Sequence, residues 1–221
     1  MHSRVFSALL AGTMLVATPV YAQISLELAK AVTSADVAAV ERLLDAGADP
    51  DESAPDYGQS PLELACSEIS SSLDKIEFTT DEETVIERRA KIADYRRIID
   101  SLLAAGADPD AEEQRHNHSY TGGGTPMMAG EFAPDCVEPL LAAGADPNAR
   151  MTFDNSSVLE VGIHGGIWSP DRIVGLALLL EAGADANVTD ENGDTLKWVL
   201  SDVYAEWVER LSFSAGTLKS D

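Results

Sequence analysis

Few side chains in this sequence stand at spacings that chemistry could use, and each set can be weighed against what a reaction would need. His116 and His118 sit with Glu112 and Glu113 in the polar stretch 111–124. Imidazole and carboxylate can hold a divalent cation, but the pair lacks H-E-x-x-H spacing and a rigid element to orient the ligands, so a plain polar loop is expected. His164-Gly165-Gly166 could offer backbone N–H groups to an oxyanion, yet no G-x-S-x-G supplies a nucleophile. There is no G-x-x-x-x-G-K phosphate loop, no strand-borne G-x-G-x-x-G and no C-x-x-C. With 38 Asp and Glu residues, a carboxylate pair can be found for any mechanism, and such a pair therefore indicates none. No catalytic residue, cofactor or metal is expected.

The acids matter more as a field. Against 15 Lys and Arg they give a formal charge of −23, which repels nucleic-acid phosphates and anionic membrane headgroups and attracts cationic proteins. At 45% hydrophobic residues the chain should nevertheless fold around a sizeable core.

The first 22 residues carry Arg4, an apolar run from Ala8 to Ala17 and the small-residue ending Val20-Tyr21-Ala22, the layout of a bacterial-type secretory signal peptide. Cleavage is expected after Ala22, leaving a periplasmic or secreted protein with no membrane span; an uncleaved N-terminal anchor is the alternative. In an oxidising compartment the two cysteines, Cys66 and Cys136, could form a disulfide if their Cα atoms come within roughly 4.4 to 6.8 Å, or could pack as buried thiols.

The elements that must position these residues are announced by a repeat. LLDAGADPD ends at Asp51, LLAAGADPD at Asp110, LLAAGADPN at Asn148 and LLEAGADAN at Asn187. Each predicts a helix stopped by a Gly that can turn left-handed, then an Asp-led turn. Ser60-Pro61-Leu62 and Thr125-Pro126-Met127 predict starts of a first, shorter helix, with the hydroxyl as cap and Pro in the first turn.

A hydroxyl-Pro-apolar helix start, a second helix ending LLxxGADxN and a period near 33 residues resemble the ankyrin repeat. The resemblance implies an all-α solenoid of about five helix-turn-helix units, at about 23–55, 56–114, 115–152, 153–189 and 190–221. The four turn glycines are 59, 38 and 39 residues apart, so the units carry insertions. The family's His after Thr-Pro-Leu is replaced by Glu63, Met128 and Glu160, so the bonds it makes between units must be replaced or lost. The terminal units are irregular, as caps of a stack are.

The largest insertion lies between Cys66 and Tyr95. It is rich in Ser, Asp and Glu at first, then periodic in Val85, Ile86, Ile92, Ala93, Ile98, Ile99, Leu102 and Leu103. Thr80-Asp81-Glu82-Glu83 has capping-box spacing, so one helix is expected from about Asp81 to Ala105, projecting beyond the stack as a solvated spur or a docking arm.

Function would then fall to what stacking leaves free. The resemblance implies a concave, noncatalytic protein-binding surface built from the loops between units. By position these loops carry Asp56 and Tyr57; His118, Tyr120 and Thr121; Met151, Phe153 and Asp154; and Glu191 and Asn192. Aromatic rings among acids suit a partner protein, one with basic character, bound by a monomer. An inhibitor or immunity protein that caps a basic envelope hydrolase or toxin is the more specific alternative.

Overall fold

In the computed structural model, residues 17–54, 57–111, 124–152, 155–165 and 169–187 are described. They form α1 (Ala17–Thr33), α2 (Val37–Asp45), α3 (Pro61–Glu77), α4 (Glu82–Ala104), α5 (Pro126–Ala129), α6 (Pro134–Ala142), α7 (Val158–Gly165) and α8 (Pro170–Glu181). The fold is all-α. Among the described residues the only β-type pairing is an isolated bridge between Arg150 and Ser157. α1 runs across the expected cleavage point after Ala22.

The four repeated motifs stop their helices in the same way. At α2, the Gly47 N–H donates to Leu44 O at 2.9 Å and the Ala48 N–H to Leu43 O at 3.0 Å. The same pair of bonds recurs at Gly106 and Ala107, Gly144 and Ala145, and Gly183 and Ala184. This arrangement satisfies two orphan carbonyls and needs a residue at positive φ. The glycines lie at φ +89° to +99°, with open space where a Cβ would stand, so backbone conformation alone selects them. The following alanines are buried.

Next in each motif, an Asp carboxylate folds the turn. Asp49, Asp108, Asp146 and Asp185 each accept from the N–H two residues on, at 2.8 to 3.0 Å. The residue reached in this way then ties its turn to the next. Asp51 accepts from the Asp108 N–H at 2.9 Å, Asp110 from the Asp146 N–H at 3.0 Å, and Asn148 from the Asp185 N–H at 2.7 Å. The four Gly-Ala-Asp corners therefore line one edge of the molecule, joined by side chain to backbone bonds.

One rung of that row is electrostatically crowded. Burial, and then the charges of Asp108 and Asp146, push the Asp110 carboxyl above its ordinary value of 3.8, against the lowering effect of its bond from the Asp146 N–H. A raised native pKa costs stability once the group ionises. The cost appears as pH rises past the unfolded value and is complete above the folded one. The next corner uses Asn148, which keeps the acceptor and also donates to Gly183 O at 3.1 Å. Asp110→Asn is accordingly expected to stabilise the protein at pH 7 by about 0.5 kcal/mol after solvent screening, and by nothing below pH about 3. Urea midpoints at the two pH values check this.

Packing follows the same order. α1, α3, α5 and α7 touch in series, α2, α4, α6 and α8 touch in a second series, and α1–α2, α3–α4 and α5–α6 pack as pairs. Leu28 and Val32 of α1, Leu62 and Ile69 of α3, Met127 of α5 and Leu159 of α7 fill the first row; Val40, Leu102, Leu140 and Leu179 fill the second. Each such side chain contributes about 1.5–3 kcal/mol by leaving water.

The large insertion is helical on both sides, which differs from a single projecting helix. α3 does not end near Cys66 but continues to Glu77, and α4 begins at Glu82 with Asp81 as its cap, the Asp81 carboxylate accepting from the Thr84 N–H at 3.0 Å. Helical propensity is low across Ser70-Ser71-Ser72, yet Ser70 and Ser72 are buried, and small side chains let the hairpin close. Nor does the hairpin stand free. Arg89 of α4 reaches Asp171 of α8 at 2.6 Å, and Arg96 reaches Glu138 of α6 at 2.8 Å.

Candidate functional site

Of the ten loop residues singled out in the sequence, Asp56, His118, Tyr120, Thr121, Phe153, Asp154, Glu191 and Asn192 lie outside the described residues. Tyr57 and Met151 are described, and both are half-buried against the core. The Tyr57 N–H donates to Ala54 O at 3.0 Å, which folds the turn before α3. Met151 belongs to a short finger between α6 and α7. Its N–H donates to Ser156 O at 2.8 Å, its carbonyl accepts from the Asn155 N–H at 3.0 Å, and the Val158 N–H donates to Ala149 O at 3.1 Å. Arg150 braces that finger through Asn155 O at 2.7 Å and Glu160 at 3.5 Å. The base of this turn is thus built from backbone bonds and one cation.

Two of the residues that stand where the resemblance expects His, Glu63 and Glu160, lie in the first turns of α3 and α7. The Glu63 N–H donates to Ser60 Oγ at 3.2 Å, and the Glu63 carboxylate accepts from Gln59 at 3.0 Å. At α7 the exchange is reciprocal: the Ser157 N–H donates to the Glu160 carboxylate at 2.6 Å, and the Glu160 N–H to Ser157 Oγ at 3.3 Å. Thr125 begins α5 without a side-chain cap bond, and its buried hydroxyl has no partner among the described residues.

Cys66 of α3 and Cys136 of α6 are joined by a disulfide across a Cα separation of 5.4 Å, both fully buried. It ties the first helix of one pair to the second helix of the next. A Cβ on Gly130 would stand 2.6 Å from Cys136 Sγ, so the end of α5 lies directly over the bond.

Sequence reasoning did not single out the most buried cation among the described residues. Arg172 is 2% exposed, and its guanidinium meets Asp74 at 2.6 Å, Ser70 Oγ at 3.0 Å, the Glu131 carboxylate at 3.0 Å and Glu131 O at 2.5 Å. It joins the extended part of α3, the corner after α5 and α8. A signal existed: Arg172, Leu176 and Leu179 share one helical face, and a cation on an apolar stripe must find carboxylates. Asp74 and Glu131 keep 50% and 38% of their side-chain surface, so they can rehydrate if Arg172 is lost. Arg172→Met is therefore expected to cost about 2–3 kcal/mol, less than a wholly buried pair, and Arg172→Lys nearly as much because one ammonium cannot span both carboxylates. Thermal melts of the two variants measure it.

No family model matches this chain, and no curated protein matches it. Its chemistry must therefore be read from the structure. Among the described residues no group of three His, Cys, Asp or Glu side chains converges as a metal site; His116 and His118 lie outside them. A hollow between α1 and α2 is lined by Glu27, Lys30, Ser34, Asp36 and Arg42. Lys30 is paired there with Glu27 at 3.2 Å, and the Ser34 hydroxyl donates to Lys30 O at 2.8 Å, so no activated nucleophile faces it. Tyr95, pushed up to about 12 by burial and then by the Glu68 carboxylate, donates its hydroxyl to Thr33 O at 3.0 Å as a strut between α4 and the α1–α2 corner. No helix among the described residues is long and apolar enough to cross a membrane.

Proposed function

We propose that the chain is an ankyrin-repeat solenoid of about five units, exported by a leader cleaved after Ala22, that binds another protein without catalysis. The observation that carries this reading is the row of Gly-Ala-Asp corners linked through Asp51, Asp110 and Asn148, beside two series of helices in parallel order. Such a row fixes where inter-unit loops emerge, and the finger around Arg150–Ser157 emerges there as a braced turn. Export is supported by the buried Cys66–Cys136 disulfide, a bond that persists in oxidising compartments. Ser25, Leu28, Ala29, Ala31 and Val32 all follow Ala22, so cleavage there would leave these buried residues in the mature chain.

Partner contact falls to Tyr120, Phe153 and their neighbours in the fingers, with Glu191 and Asn192 in the last loop. Tyr57, being half-buried, contributes to the base of its loop as well as to any contact. Tyr120→Ala combined with Phe153→Ala is expected to abolish capture of the partner from envelope extract while leaving the melting temperature within about 2 °C, as surface substitutions do. Capture that survives would remove the fingers as the binding face.

The charge of −23 favours one narrower reading, an inhibitor or immunity protein for a basic hydrolase or toxin. Affinity for the captured protein would then fall steeply between low and physiological salt. A salt-insensitive complex would eliminate it.

A further inference from the structure

We propose that the far end of the α3–α4 hairpin is a docking knob for a basic protein that offers an apolar pocket rimmed by Lys or Arg. Three large hydrophobic side chains stand exposed among the described residues: Phe78 at 84%, Ile86 at 71% and Val174 at 52%. Single exposed hydrophobics are ordinary, but the first two belong to one hairpin end and the third to a helix that is ion-paired with it. Phe78 closes α3 and Ile86 lies early in α4, either side of the same turn. Arg89, one helical turn beyond Ile86, is paired with Asp171, and Val174 lies one turn beyond Asp171. Ile86 and Val174 thus each lie one helical turn along the chain from a member of that ion pair.

Ile86 belongs by sequence to the apolar pattern of α4, whose later members fill the core, yet here it faces water. Asp81, Glu82, Glu83 and Glu87 surround it and are exposed, with Glu87 partly offset by Lys91 at 3.1 Å. This charge decides the occupant. A second copy, carrying the same −23, would bring acids against acids, and phosphate-rich surfaces are repelled likewise. A cationic protein surface is drawn in. The knob is also held before binding: Arg172 anchors Asp74 of α3 and Asp171 anchors Arg89 of α4, so little ordering remains to be done at contact. This surface lies at the opposite end of α3 from Tyr57, and the proposal does not depend on the fingers.

The test places p-benzoylphenylalanine at position 78 of the full chain, with position 41 on α2 as control, and irradiates the cells that make the protein. One adduct with a basic protein is expected from position 78 and none from position 41. With that protein purified, Phe78→Ser together with Ile86→Ser should weaken Kd by about 30-fold or more, the scale of interface hot spots. Glu82→Lys with Glu83→Lys should slow association and flatten its salt dependence. The melting temperature of the Phe78→Ser, Ile86→Ser variant should not move, because both side chains are already exposed, while Glu82→Lys with Glu83→Lys should lower it by a few degrees through the first turn of α4, and Tyr120→Ala with Phe153→Ala should leave the position-78 adduct intact. The proposal is overturned by absence of an adduct at position 78, by an adduct with a second copy or with a neutral or acidic protein, or by a Kd indifferent to the knob substitutions.

Discussion

Replacing Cys66 and Cys136 together by Ala is expected to lower stability by about 4 kcal/mol and the melting temperature by about 8–16 °C. The bond closes a loop with a sequence separation of 70 that contains all of α4 and the segment 112–123. Without it the unfolded chain regains the freedom of that whole loop, and the entropy grows with the logarithm of its length. Ala keeps a small apolar group at two fully buried positions, so the lost sulfur volume adds little, and chain entropy dominates the expected loss. Urea unfolding of the oxidised wild type and the double variant measures it. A difference below about 1 kcal/mol would mean that the unfolded state already keeps α3 near α6. The same measurement bears on compartment, since protein made in a reducing cytosol should resemble the double variant.

What was legible in the sequence was the backbone chemistry of helix ends. Gly47, Gly106, Gly144 and Gly183 take the conformation that only glycine takes cheaply, and the aspartates after them fold the turns, because both effects act within six residues. The start of α4 was legible to within a residue, although Asp81 bonding the Thr84 N–H, and not a Thr80–Glu83 box, is its cap. The continuation of α3 to Glu77 was not. Ser70-Ser71-Ser72 has low helical propensity, and the bond from the buried Ser70 hydroxyl to Glu131, 61 residues away, is not written in the local pattern. Arg172 was hidden likewise, since Ser70, Asp74 and Glu131 are brought to it from 102, 98 and 41 residues away. Ile86 followed the helical period but had nothing to pack against, and periodicity alone cannot tell a buried stripe from an exposed one.

The most selective packing lies where α7 and α8 meet the corner after α5. Glu131 and Phe132 both take positive φ, 44° and 66°, an arrangement costly for residues with side chains, and Phe132 is 1% exposed. Two glycines make room for it. A Cβ on Gly162 would collide with the Phe132 ring, and a Cβ on Gly175 would collide with the Phe132 carbonyl oxygen. The ring belongs to a side chain that can be exchanged. The carbonyl belongs to a corner held by Arg172 on Glu131 O and by the Ala133 N–H on Gly130 O at 2.8 Å. Gly162→Ala is therefore expected to cost about 1–3 kcal/mol and to be partly relieved when Phe132→Leu is added. Gly175→Ala is expected to cost more than about 3 kcal/mol, lowering the melting temperature by at least about 6–12 °C, with no relief from Phe132→Leu. Neither glycine lies at positive φ, so helix propensity alone would make both substitutions stabilising by about 1 kcal/mol. The sign of each change therefore separates close packing from propensity. A Gly175→Ala variant that melts at or above the wild-type temperature would show that α8 does not lie against this corner.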